Sequence, residues 1–430
     1  MIGHYLDEKE VRVGRLKQGI ALAGGGPLGG IWEIGALVAL DEALVGINFT
    51  DCDFYVGVSS GSFVAAGLAN GISPREMHRM FIESEAADDP FEPELLLRPA
   101  VGEYLQRLAT LPQLFLTAAQ RYISAPWSQG FFASFQELAR ALPTGVFDNA
   151  GIGEYLARLF SAPGRTNDFR RLRHKLFLIA TDLDSGRVVP FGAHGWTTVP
   201  ISQAVLASAA LPGLFSPVQI RGRSYVDGAL MKTLHASVAL REGAKLLLCI
   251  NPLVPFDADL AARQTRNKPV SLVKCGLPTV LSQTFRAVIH SRMQVGMERY
   301  RSDYPDADVL VFEPEPGDTE MFFTNVFSYA ARRRLSEHAY QRTRAELRHR
   351  MDELEPILAR HKIGIDRNVL ADNTRMLARP LGSLRRSRAG GFGRAVHQLE
   401  QTLDQLGMIV KSRATSADLV QTEVVREPHR

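Results

Sequence analysis

The chain of 430 residues has only three cysteines, Cys52, Cys249 and Cys275. Few, odd in number and set among apolar neighbours, they exclude a disulfide scaffold. They read as buried, reduced thiols and favour a reducing compartment. Long apolar runs are also missing. The nearest to one, residues 21–40, is interrupted by Gly24, Gly25, Gly26, Pro27, Gly29, Gly30, Glu33 and Gly35. It suits a loop and a buried helix better than a membrane span, and no spanning helix is expected. The first ten residues are charged and lack the apolar core of a secretory signal, so a cytoplasmic location is expected. Residues in metal-ligand spacing are absent, so no metal or other cofactor is expected. Net charge is small, +4, although basic residues gather late in the chain. No aromatic-interleaved basic motif accompanies them, which argues against a nucleic-acid partner.

What remains is the composition of a globular protein, 45% hydrophobic and 22% charged. Residues 18–70 read as strand, glycine loop, helix, strand, sharp turn and helix. Continuous apolar strands alternating with helices predict a mostly parallel α/β sheet. Further strands are predicted at 175–182, 188–191, 224–226, 245–250 and 309–312, with helices at about 152–160 and 202–210. Residues 71–147 read as largely helical, and 256–304 as an insertion helical in its second half. Residues 329–361 form a long helical segment rich in arginine. From about 366 the chain loses its pattern.

Three short motifs stand at strand ends. Gly57-Val58-Ser59-Ser60-Gly61 fits G-x-S-x-G, between an apolar strand and a helix of small residues. That context forms a nucleophile elbow, where Gly57 and Gly61 leave room for a strained turn that exposes the serine hydroxyl. Upstream, Ile20 to Ala23 runs into Gly24-Gly25-Gly26-Pro27-Leu28-Gly29-Gly30, whose backbone N–H groups suit a developing oxyanion. Serine and anion cradle together point to acyl transfer. A serine needs a base, and Asp227-Gly228-Ala229 at the end of a third strand supplies one candidate. His235 is a competing base that would complete a Ser–Asp–His triad. The glycine loop also fits a dinucleotide fingerprint at Gly24, Gly26 and Gly29. That reading requires an acid at the end of the second strand, whereas Asp51 and Asp53 precede it.

With these motifs in this order, the chain resembles the patatin-like phospholipase family over roughly residues 18–255. Ala180-Thr181-Asp182-Leu183 and the segment from Ala207 to Pro217 are similar to further family signatures. The resemblance implies a three-layer α/β/α fold over 18–315, a helical extension over 316–365 and a basic tail over 366–430. It implies a serine acyl hydrolase of lipid esters, of phospholipase A or lysophospholipase type, working through a Ser–Asp dyad. Ser59 would attack the ester carbonyl, Asp227 would take its proton, and N–H groups of Gly24, Gly25 and Gly26 would hold the oxyanion. The family's loop usually carries an arginine where this chain has Leu28.

An acyltransferase or thioesterase would use the same serine, and a catalytically weak lipid-binding protein could use the same scaffold. The partners expected are a lipid or phospholipid substrate and peripheral contact with an anionic membrane. For that contact the sequence offers apolar groups at 95–132, which also suit helical core, the arginine-rich helix at 329–350, which also suits a solvated face, and the basic tail.

Overall fold

The structure, a computed structural model, describes residues 16–83 and 144–377 except 233, 266–267 and 325–328. The apolar groups expected between 95 and 132, and the basic tail, lie outside the described residues.

An eight-stranded, mostly parallel sheet organises the described chain. Its strands are β1 (Gln18–Leu22), β2 (Phe54–Val58), β3 (Lys175–Asp182), β4 (Arg187–Phe191), β5 (Val218–Ile220), β6 (Arg223–Asp227), β7 (Leu246–Ile250) and β8 (Asp308–Phe312). Their spatial order is β8-β7-β1-β2-β3-β6-β5, with β4 paired to β3. The first five in that order run parallel, and β6, β5 and β4 run antiparallel to their neighbours. Side chains alternate across a pleated strand, and both faces here are apolar. Ile20, Leu22, Leu246, Leu248 and Ile250 enter one core, whereas Ala21, Ala23, Leu247 and Cys249 enter another. Two cores on one sheet require helices on both faces, and so the fold has three layers.

The first core is covered by α1 (Gly26–Ala43), α2 (Ser60–Ala69), α3 (Ala150–Ser161), α4 (Ile201–Ala209) and part of the C-terminal helices. The second is covered by a short helix at Ser237–Arg241 and by α5 (Leu277–Asp303). The strands and helices expected from the sequence agree with these bounds to within two residues, whereas β5 was not expected. The region read as largely helical up to 147 instead ends in a strand, Gly145–Phe147, paired in parallel with Gly213–Phe215.

The arginine-rich segment differs from both readings given for it. It breaks at Arg350 into α6 (Tyr329–His349) and α7 (Met351–Arg360). Its arginines do not share one face: Arg332, Arg333 and Arg344 are buried, whereas Arg334 and Arg348 are exposed. Arg344 donates to the carbonyls of Val369 at 2.7 Å and Asp372 at 2.6 Å, and Arg348 to that of Leu370 at 2.8 Å. These donors satisfy the open carbonyls around the last short helix, Arg367–Ala371, and tie it to α6. Along the same helix Ser336 and Ala339 press on α1, where a side chain on Gly35 would stand 2.4 Å from the Ser336 carbonyl. Arg344 and Arg348 therefore hold the last helix against α6, which itself packs on the first layer.

The cysteines need one correction. Cys52 and Cys249 are buried, but Cys275 is exposed. The apolar residues that surround it in sequence are themselves at the surface of the insertion before α5.

Candidate active site

Two strands converge on one edge of β3. Val58, the last residue of β2, pairs with Ile179. Asp227, the last residue of β6, pairs with Ala180, the next residue along. Residues 178–182 of β3 also pair with β4, so β2 and β6 must share the opposite edge. The two strands run in opposite directions and meet end to end. The residue after Val58 is Ser59, which is thereby brought against Asp227 although 168 positions separate them (227 − 59).

Ser59 is held in a strained turn at φ 53° and ψ −125°. A non-glycine residue in that region costs on the order of 1–3 kcal/mol and persists only where surrounding contacts impose it. The contacts are visible. The Ser59 N–H donates to Ser208 Oγ at 3.0 Å, and Ser208 Oγ donates to the Ile179 carbonyl at 2.6 Å. Ser62 Oγ donates to the Ser59 carbonyl at 2.5 Å. Gly57 and Gly61 make the turn possible by bringing strand and helix together. A side chain on Gly61 would lie 2.5 Å from the Ala23 carbonyl, and one on Gly57 2.5 Å from Ser62 Cα.

The Ser59 side chain lies close enough to the Asp227 carboxylate to lower its pKa. Ser59 is 7% exposed and Asp227 2%. Burial pushes the Asp227 carboxyl up to about 6, against the smaller opposing pull of the hydrogen bonds from Ser59 and from the Ala229 N–H at 2.8 Å. The group is thus ionised at neutral pH yet a stronger base than a solvated aspartate.

The glycine loop lies directly against the serine. A side chain on Gly24 would come within 2.9 Å of Ser59 Cβ and 3.2 Å of Ala229 Cβ. Pro252, following β7, packs on Gly25 and Gly29 from the other side. Among the described residues the N–H groups of Gly24, Gly25 and Gly26 donate to nothing. Gly26, at φ 60°, opens to free space and starts α1, whose Pro27 has no N–H to offer. Three unused donors therefore lie in the loop whose Gly24 meets Ser59. Leu28, at the position where an arginine is usual, is partly buried and packs on the first core.

His235 does not join this group. It is buried in a left-handed conformation, φ 45°, and its Nε2 lies 3.4 Å from the Gly228 carbonyl. Burial depresses its pKa to about 4, so the ring is neutral and buttresses the turn after Asp227.

The serine opens into an apolar cavity of about 200 Å³. Gly26, Pro27, Ile34, Phe63, Tyr155, Val205 and Leu214 are among the residues that line it. Motif reading alone missed these residues, because they come from α1, α2, α3, α4 and the strand Gly213–Phe215 and none carries a reactive group. Ser208 was also missed as a support of the elbow. Its signal is a small polar residue at a buried helix position, where a hydroxyl needs a partner.

The chain is similar to several known proteins. It is 23% identical over 255 residues to the uncharacterised protein YqhO of Bacillus subtilis strain 168, a match covering 56% of this chain and 74% of that protein. Among solved structures it is similar to VipD of Legionella pneumophila, at 16% identity and TM-score 0.32, over 58% of this chain and 52% of that one. It is also similar to human GIVD cytosolic phospholipase A2, at 16% identity and TM-score 0.30, over 81% and 61%. The chain thus spans less than two thirds of the length of either solved structure. Residues 20–240, just over half of the 430, match the model of the patatin-like phospholipase family, and the chain belongs to that family.

Proposed function

We propose that the protein is a serine acyl hydrolase of lipid esters, working through Ser59 and Asp227. The observation that carries this reading is a strained, buried serine that neighbours a desolvated aspartate and lines an apolar cavity. The cavity takes the acyl chain and sets the ester carbonyl against Ser59 Oγ. As Oγ attacks, its proton passes to Asp227, and the charge growing on the carbonyl oxygen is met by the N–H groups of Gly24, Gly25 and Gly26. These donors are fixed by Pro252 and by the start of α1, so they need not reorganise during the step. The protonated aspartate then gives its proton to the departing alcohol. A water, deprotonated by Asp227, releases the fatty acid from the acyl-enzyme. Every step uses groups of this chain, and none needs a metal or cofactor. The substrate is a phospholipid or lysophospholipid met at a membrane surface, and nucleic acid is not a partner.

The test is fatty-acid release from mixed phospholipid vesicles without added metal, comparing wild type with Ser59→Ala and Asp227→Asn. Loss of release in both variants, with the fold intact, is the expected result. Release that persists in Ser59→Ala overturns the reading. Release that persists only in Asp227→Asn moves the base to another group, with His235→Ala as the next variant. Transfer of the acyl group to an added lysolipid or alcohol, in preference to water, identifies an acyltransferase using the same serine.

A further inference from the structure

The insertion between β7 and β8 carries a surface that the acyl-hydrolase reading does not use. Of the fourteen large hydrophobic side chains exposed among the described residues, seven fall within 270–295. Val273 is 78% exposed, Leu277 68%, and Leu281, Phe285 and Val288 about half. From Leu277 the spacing of four, four and three residues puts Leu277, Leu281, Phe285 and Val288 on one side of α5. Scattered exposed hydrophobics are ordinary, but a continuous row of this length on a helix marks a contact surface.

The charge of the same stretch is one-signed. No acidic residue occurs between Asp259 and Glu298, while Arg263, Arg266, Lys268, Lys274, Arg286 and Arg292 do. Arg286 is turned inward to the Val254 carbonyl, whereas Lys268, Lys274 and Arg292 are exposed around the apolar row. An apolar helix face bordered by cations, without carboxylates, complements an anionic bilayer surface.

Position links this face to the active site. α5 leads into β8 and so runs against the direction of the parallel strands, with its first turns at the end of the sheet where Ser59 and Asp227 lie. Arg292 donates to the Leu230 carbonyl at 3.1 Å, three residues after Asp227. Gln283 bonds both the N–H and the carbonyl of Phe256, on the loop that carries Pro252. From Arg292 back to Leu277 the helix rises about 22 Å, at 1.5 Å per residue. Its apolar end therefore stands out beyond the strand ends, at the same end of the sheet as Ser59, which lines the cavity.

We propose that the face formed by residues 270–288 docks the protein on an anionic lipid surface with the Ser59 end of the sheet toward it. Binding can be read without turnover, so this inference stands apart from the roles given to Ser59 and Asp227.

The experiment uses the full chain and its own cysteines. Cys52 and Cys249 are buried and Cys275 is exposed within the patch, so a thiol-directed, polarity-sensitive dye attaches at Cys275. The probes are vesicles of phosphatidylcholine alone and of phosphatidylcholine with an equal part of phosphatidylglycerol. The expected result is a blue shift with the anionic vesicles, weakened by salt, and co-sedimentation of unlabelled protein with them. The double variant Leu281→Glu, Phe285→Glu should bind these vesicles at least about tenfold more weakly, with an unchanged melting temperature because both side chains are exposed. Equal binding by variant and wild type overturns the proposal, and so does absence of binding by wild type. Equal affinity for phosphatidylcholine alone overturns the anionic assignment. A native Cys275 that resists labelling shows the face covered by the chain itself. A wild-type dimer that the double variant dissolves, with vesicle binding unaffected, makes a second copy the occupant.

Discussion

Replacing Asp227 by asparagine should abolish turnover and, at neutral pH and above, make the protein more stable. The carboxyl is buried and its pKa is raised from 3.8 to about 6. Folding therefore opposes ionisation. Below the unfolded value both states hold the proton and the group has no effect. As pH rises the unfolded chain ionises first, and the folded state is progressively penalised until its own carboxyl has ionised too. The full penalty, reached well above pH 6, is about two pKa units, or about 3 kcal/mol at about 1.4 kcal/mol per unit. Asparagine has nearly the same shape, can still accept from the Ala229 N–H and carries no charge to desolvate. Its stability advantage over wild type should grow by about 2 kcal/mol between pH 4 and pH 8 and by about 1 kcal/mol between pH 5 and pH 8. Denaturant midpoints measured across that range read this directly. Turnover of a soluble short-chain ester by wild type should rise as pH passes through about 6 and then level off, because only the ionised carboxylate accepts the serine proton. A variant whose stability relative to wild type does not change with pH, or that is uniformly less stable, refutes the claim that Asp227 is a desolvated base.

Gly24→Ala should fold but lose about 10²–10³ in kcat, because the added methyl meets Ser59 Cβ at 2.9 Å and displaces the oxyanion donors; retained kcat would place the donors elsewhere. Val205→Phe fills the cavity from its wall and should lower kcat/KM about tenfold for long-chain esters while sparing a butyrate ester, and an equal loss on both would mean the cavity is not the acyl site. Ser208→Ala leaves the Ser59 N–H without an acceptor and should cost about 1–3 kcal/mol in stability with a fall in kcat at unchanged KM, measured by urea unfolding and steady-state kinetics. Glu33 on α1 is fully buried, and neither of its carboxyl oxygens has a partner among the described residues. Burial raises its pKa well above the ordinary range. Glu33→Met should therefore raise stability by about 1–2 kcal/mol, and a loss of that size would reveal a role for the acid.

Local sequence carries the parts of this protein whose constraints are local. Apolar runs such as Lys175 to Asp182 read directly as strands because both faces of a parallel sheet must be apolar. The elbow is legible because a strained turn between strand and helix leaves space only for Gly57 and Gly61 around Ser59. Asp227 can be picked out for the same reason, as a carboxylate at a strand end followed by glycine. The glycine loop could be read in two ways. The structure separates them by packing it on Ser59, with the second strand ending at that serine rather than at an acid.

Other features depend on partners far away in the chain. The arginines of α6 look like one charged face in sequence, but Arg344 is buried because carbonyls of 369–375 fold back to meet it. Cys275 looks buried because its neighbours are apolar, yet those neighbours lie on an outer face that no other described residues cover. His235 lies eight residues from Asp227 but turns to the Gly228 carbonyl and stays off the serine. The pKa of Asp227 is likewise a property of the assembled core, since desolvation depends on everything packed around a group. Sequence by itself determined the strands, the sharp turns and the reactive groups at their ends, because these follow from side-chain alternation and steric limits over a few residues. Only the tertiary structure decided which of those groups meet, how dry they are and which apolar faces stay uncovered, because contact and burial are set by elements distant along the chain.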